Sequence, residues 1–173
     1  MTASRERSTL GPQATVAVRT IPSPRIDATR RIAVAIADMW KTIGVQAELL
    51  NAEVAVHYED MQQGRYQVGR AGWIADYNDP QNFLFLMQTS TGVLNYAKYS
   101  NAKYDALMDQ AAKTVDLKTR ATVLGQAEAV AMADQPNIPI YYYVSKNLVA
   151  QHVKGWTDNT KDTHRSRWLS IQR

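Results

Sequence analysis

Cysteine is absent from the 173-residue chain, which rules out a disulfide, a thiolate nucleophile and any cysteine-ligated zinc or iron–sulfur site. Phosphate-cradling loops are missing too. Neither G-x-x-x-x-G-K-[ST] nor G-x-G-x-x-G occurs, and both need their glycines so that backbone N–H groups can close around phosphate. The G-x-S-x-G elbow of a serine hydrolase is likewise lacking. No window approaches the roughly eighteen apolar residues of a membrane span, and residues 1–27 hold no apolar run of the length a signal peptide's core needs. The histidines, His57, His152 and His164, stand too far apart for two ligands on one helix face. They read as surface or core side chains, and no metal site is expected.

An excess of positive charge is present overall but localised. The chain carries 20 basic and 16 acidic residues. Arg5, Arg7, Arg19, Arg25, Arg30 and Arg31, set against Glu6 and Asp27, account for the whole net charge of +4, so residues 32–173 are neutral by formal count. That balance does not suit a nucleic-acid surface. Residues 1–27 contain no aromatic side chain and include Pro12, Pro22 and Pro24. They read as a poorly ordered basic arm, leaving residues 28–173 as one folded domain.

What is present begins with a helical stripe: Ile32, Ile36, Met39, Trp40 and Ile43 recur at helical offsets, with Asp27 or Thr29 placed to cap the start and Gly44 to end it. Residues 45–50 alternate briefly and suit a strand. A second helix is predicted over 53–63, stopped by Gly64, and residues 65–74 form an extended segment. Helix–strand–helix–strand order predicts an α/β layer with parallel strands, because parallel neighbours need a crossover. Further on, Phe83–Met87 reads as a short apolar helix. Tyr104, Leu107, Met108, Ala111 and Val115 mark another capped near Ser100 or Asn101, and Leu117, Ala121, Leu124, Ala127 and Ala131 mark a third that Pro136 closes. Residues 138–144 read as a strand, with Tyr141, Tyr142 and Tyr143 as sheet packing and ligand contact as the alternative.

Ligands of parallel sheets gather at the carboxyl ends of strands, where the run Gly72-Trp73-Ile74-Ala75-Asp76-Tyr77-Asn78-Asp79-Pro80 falls. An EF-hand calcium loop is excluded, since its fifth and sixth positions would be Pro80 and Gln81 rather than a ligand and glycine. Gly69-Arg70-Ala71-Gly72 fits the G-x-x-G of a KH domain, yet it runs into Trp73 and Ile74 instead of joining two helices. Asp76 and Asp79 could serve as an acid and base pair. Asp79 is better explained as a helix cap ahead of Pro80. Asp76 has no such local role and stays open between ligand contact and turn formation.

Four stretches carry a family resemblance: RRIAVAIADMWKTIGVQAEL, GRYQVGRAGWIADYNDP, NYAKYSNAKYDALMDQA and ADQPNIPIYYYVSKNLV. In that order they resemble the C-terminal part of the periplasmic oligopeptide-binding proteins, the family 5 solute-binding components of ABC peptide importers. The resemblance implies an α/β fold, one lobe of a periplasmic-binding-protein type II receptor, with a parallel-rich sheet flanked by helices and the first lobe absent. It implies a non-enzymatic, cofactor-free binder of an oligopeptide, working with an ABC permease. By the same resemblance Asp76 accepts the peptide's α-ammonium group, Trp73 forms an apolar wall beside it, and Arg70 meets the carboxylate of a short peptide, with a surface or structural arginine as the alternative there. The resemblance places such a receptor in the periplasm; the chain as given, without an export signal, could instead be cytoplasmic. The alternative overall is a truncated remnant or interaction protein without independent ligand binding.

Overall fold

The computed structural model describes residues 14–20, 26–159 and 161–172. They belong to two compact units, the first ending at Gly72 and the second beginning at Trp73.

The first unit is a parallel sheet with crossover helices: strand β1 (Ala14–Thr20), helix α1 (Ile26–Lys41), strand β2 (Val45–Asn51), helix α2 (Val54–Gln63) and strand β3 (Val68–Gly69). Strand order is β2-β1-β3. Ala14 pairs with Val45 and Thr20 with Asn51 along one side of β1, and Val18 pairs with Val68 on the other. The expected basic arm over 1–27 is therefore corrected at Ala14–Thr20, which form the middle strand. Its β-branched alternation, Val16, Val18 and Thr20, suits a pleated surface, but the arginines and prolines of residues 1–27 dominate the segment's composition. Residues 1–13 and 21–25 lie outside the described residues.

Helix α1 starts at Ile26, ahead of both expected caps, so neither Asp27 nor Thr29 occupies the capping position. Ala37 is buried and Ile32, Ile36 and Trp40 are half-buried, whereas Met39 and Ile43 are exposed. The inward stripe is thus narrower than the sequence predicts. Gly44 has φ 83°, a left-handed conformation that lets the helix turn directly into β2. Helix α2 opens at Glu53, whose carboxylate accepts the Ala55 N–H at 2.8 Å, and closes at Gly64 with φ 71°.

The second unit is built on helix packing. A short helix α3 (Gln81–Leu84) runs into a 3₁₀ turn (Phe85–Met87), followed by helices α4 (Ala102–Lys113) and α5 (Leu117–Asp134). Asn101 caps α4, accepting from the N–H groups of Lys103 at 2.9 Å and Tyr104 at 3.1 Å; Asp116 caps α5 through Thr119 N–H at 2.8 Å. Ala111, Ala127 and Ala131 are buried between the two helices, their small side chains allowing close approach, while Leu84, Met87, Tyr104, Met108, Val123 and Leu124 complete the core. Strands β4 (Val153–Lys154) and β5 (Ser170–Ile171) form a small antiparallel ribbon.

The strand expected over 138–144 is not formed. Residues 138–150 run without turn or bend and pair with no strand among the described residues. Ile138, Ile140, Val144 and Leu148 are exposed, and Tyr142 is 98% exposed, so the tyrosine run is not sheet packing. A pleated, apolar pattern becomes a strand only beside another strand that takes up its backbone groups.

Candidate functional site

The strand order reverses direction at β1: the chain passes from β1 to one neighbour and then returns to the other side to form β3. Such reversals mark the crevice where parallel sheets bind ligands, at the carboxyl ends of the strands. Arg70 follows β3 at that end. Its N–H donates to the Arg19 carbonyl at 3.1 Å and its carbonyl accepts from His57 Nε2–H at 2.9 Å, so both backbone groups are fixed. His57 is wholly buried, as a core histidine, and its Nδ1 has no partner among the described residues.

Below this strand end lies an ion cluster. Asp60, 6% exposed, is paired with Arg19 Nη1 at 2.6 Å and with Arg65 Nε at 2.8 Å. The Arg65 hydrogen bond, reinforced by the charge of Arg19, holds the Asp60 carboxyl below the usual carboxylate range. The Arg70 guanidinium, by contrast, has no hydrogen-bond or ion-pair partner among the described residues.

Trp73 and Asp76 belong to the second unit, and one side chain brings them together. Asn82 Oδ1 accepts both the Trp73 indole N–H at 2.9 Å and the Asp76 backbone N–H at 3.0 Å. The half-buried Trp73 ring meets Phe85 edge-on, centroids 5.7 Å apart. Ala75 between them is buried, but Asp76 itself is exposed and its carboxylate has no partner among the described residues.

Asp79 is employed differently from Asp76. One carboxylate oxygen accepts the Gln81 N–H at 2.8 Å, the capping role expected of it, and the other pairs with Arg120 on α5. The Arg120 bond, followed by the Gln81 bond, holds its carboxyl below the usual range. The turn therefore has one carboxylate consumed by structure and one left open to solvent. Asn82 and Arg120 carried no sequence signal of this role.

Two shallow depressions among the described residues, one on α1 at Arg30, Val34 and Asp38 and one at Val153, Leu169 and Ile171, contain none of these groups. No group of three or more metal-ligating side chains occurs among the described residues, and none of their helices is long and apolar enough to cross a membrane.

Residues 9–95 match the family described as bacterial extracellular solute-binding proteins, family 5 Middle. The chain belongs to this family. Among family 5 proteins, it is 36% identical over 130 residues to the oligopeptide-binding protein OppA of Bacillus subtilis, covering 75% of this chain and 24% of that protein. The structure of the Escherichia coli murein tripeptide-binding protein MppA superposes with a TM-score of 0.83 at 32% identity, covering 95% of this chain and 32% of that one. Haemophilus influenzae OppA in complex with RPPGFSPFR gives 0.81 at 30% identity, over 92% of this chain and 31% of that one. The chain thus spans about a quarter to a third of the length of these family 5 relatives. Its α/β class, with a parallel sheet flanked by helices, is the periplasmic-binding-protein type II fold that the sequence led us to expect. The match reaches back to residue 9, and so includes β1.

Proposed function

We propose that the chain is part of the peptide-binding component of an ABC-type oligopeptide importer, a non-enzymatic receptor acting with a permease in the periplasm. Residues 28–173 supply the C-terminal peptide-binding lobe, joined by β1. Asp76 accepts the α-ammonium group of an extended peptide, Trp73 forms the apolar wall beside it, and Arg70 meets the carboxylate of short peptides. The observation that carries this reading is the Asp76 carboxylate: exposed and without a partner among the described residues, on a turn whose backbone is tied down by Asn82. An ammonium leaving water needs a carboxylate partner, and an anchor already committed to an internal ion pair could not supply one. A guanidinium suits the opposite end because its fork pairs bidentately with a carboxylate. Peptide backbone would be held by strand addition, which tolerates many side chains.

The test is a titration of the chain with a mixed tri- and tetrapeptide pool, followed by tryptophan fluorescence and by amide resonances, and repeated with the N-acetylated pool. Free peptides should shift the Asp76 and Trp73 signals saturably, acetylated ones should not, and Asp76→Asn should abolish the difference. Equal responses to the two pools would remove Asp76 from the anchoring role.

A second reading, an interaction protein without independent ligand binding, is favoured by the exposed apolar residues of 138–148. It predicts concentration-dependent association through that segment. Sedimentation showing a monomer at all concentrations would count against it.

A further inference from the structure

Asn82 is 1% exposed although it follows a solvent-exposed turn. A buried amide is costly unless its polar atoms are used, and here Oδ1 is used twice, by the Trp73 indole and the Asp76 backbone N–H. Its platform is rigid. The Asn82 N–H donates to the Asp79 carbonyl at 3.0 Å, and two residues later the Leu84 carbonyl accepts the hydroxyl of the fully buried Tyr104 at 2.5 Å.

One acceptor holding two donors fixes the indole and the Asp76 backbone to a common point. Among the described residues the Asp76 side chain has no hydrogen-bond or ion-pair partner, and the half-buried Trp73 ring meets Phe85 edge-on. We propose that Asn82 is the positioning residue of the ligand-binding turn, joining Trp73 and Asp76 into one rigid unit without touching the ligand. The inference rests on the binding role proposed for Asp76 and Trp73, but its geometric part stands apart from that role and is tested on the ligand-free chain.

Two near-isosteric variants separate the acceptor from the volume. Asn82→Leu fills the space without an acceptor, and Asn82→Asp keeps an oxygen where Oδ1 lies. In the ligand-free chain, Asn82→Leu should move the Trp73 indole and Asp76 amide resonances together and speed their hydrogen exchange by about tenfold, the loss of one internal hydrogen bond each; Asn82→Asp should restore slow exchange. Unmoved resonances, or exchange of only one of the two protons, would overturn the proposal. If Asn82→Leu does not fold, exchange in the unmodified chain decides: the two protons should open together, with matching protection factors once each rate is divided by the intrinsic rate of its own group, and protection factors that differ by more than about tenfold would overturn it. Where the unmodified chain discriminates free from acetylated peptides, Asn82→Leu should lose that discrimination and Asn82→Asp keep it. Failure of the unmodified chain to discriminate would overturn the anchoring role alone, while the exchange result still decides the role of Asn82.

Discussion

Replacing Asp79 with asparagine should destabilise the second unit while leaving Trp73 and Asp76, the proposed ligand contacts, in place. The Asp79 side chain is 26% exposed and its partner Arg120 is 19% exposed, so the pair sits between a surface ion pair and a buried one. Hydrogen bonds to charged groups contribute about 1.5–3 kcal/mol net. Solvent screening at a site about a quarter open brings the expected loss for Asp79→Asn to about 1–2 kcal/mol. Asparagine can still accept the Gln81 N–H that Asp79 accepts at 2.8 Å, so the cap is spared. Asp79→Ala removes the cap as well and should cost about 1 kcal/mol more. The pairwise term is isolated by a double-mutant cycle with Arg120→Met, in which about 1–2 kcal/mol of coupling is expected. Urea unfolding supplies the measurement: the midpoint should fall with the slope unchanged. Asp76→Asn is the internal control. Its carboxylate is exposed and unpaired among the described residues, so its midpoint should stay at the parent value. A coupling under about 0.3 kcal/mol, or an equal loss for Asp76→Asn, would refute the division of labour between the two carboxylates.

Tyr104→Phe should lower stability by about 1–2 kcal/mol, because the Leu84 carbonyl loses the hydroxyl that serves it inside the core; denaturant unfolding showing no loss would mean the carbonyl finds another donor. Stability should fall as the solution is acidified through and below pH ~4. The Asp79 and Asp60 carboxyls are held below their ordinary values in the folded chain, so the unfolded chain takes up protons first and their contribution, complete at neutral pH, is lost. At the alkaline end, burial and the Asp134 bond push Tyr99 from 10.0 up to about 12. The unfolded chain then ionises first, and stability should decline as pH rises from about 10. Unfolding midpoints that are flat across both ranges would contradict these pairings.

Local signals told the truth where local physics decides. Gly64 and Asn101 announced the end of α2 and the start of α4 because a left-handed stop and a side-chain cap act within one turn. The length of α2 followed, whereas α4 stops at Lys113, short of Val115, which the apolar stripe had included and which is exposed. What stayed hidden depended on partners distant in sequence. The strand character of Thr15–Thr20 is weak until Val45–Asn51 and Val68 lie alongside it, and residues 138–144 show the converse, a strong β pattern with no neighbouring strand among the described residues. Met39 and Ile43 fit the helical stripe yet remain exposed, because periodicity names a face but not the width of what covers it.

In the candidate site, Asp79 was readable as a cap from the following proline, but its ion pair with Arg120 spans 41 positions and is set by how α5 packs. Asn82 was unreadable for the same reason. Its function arises only when the chain doubles back so that the indole and the Asp76 N–H meet one carbonyl oxygen.

The place of β1 in the sheet has a practical meaning for anyone shortening this protein. Sequence composition invites a cut near Asp27, since what precedes it resembles a tail. Such a cut would leave two strands that never touch each other, β2 and β3, facing an empty lane. It would also strip the Arg19 carbonyl that receives the Arg70 N–H and one of the two guanidinium groups paired with Asp60. The seemingly dispensable front of the chain is therefore a keystone, and a clone that omits it would damage the sheet from the inside outward.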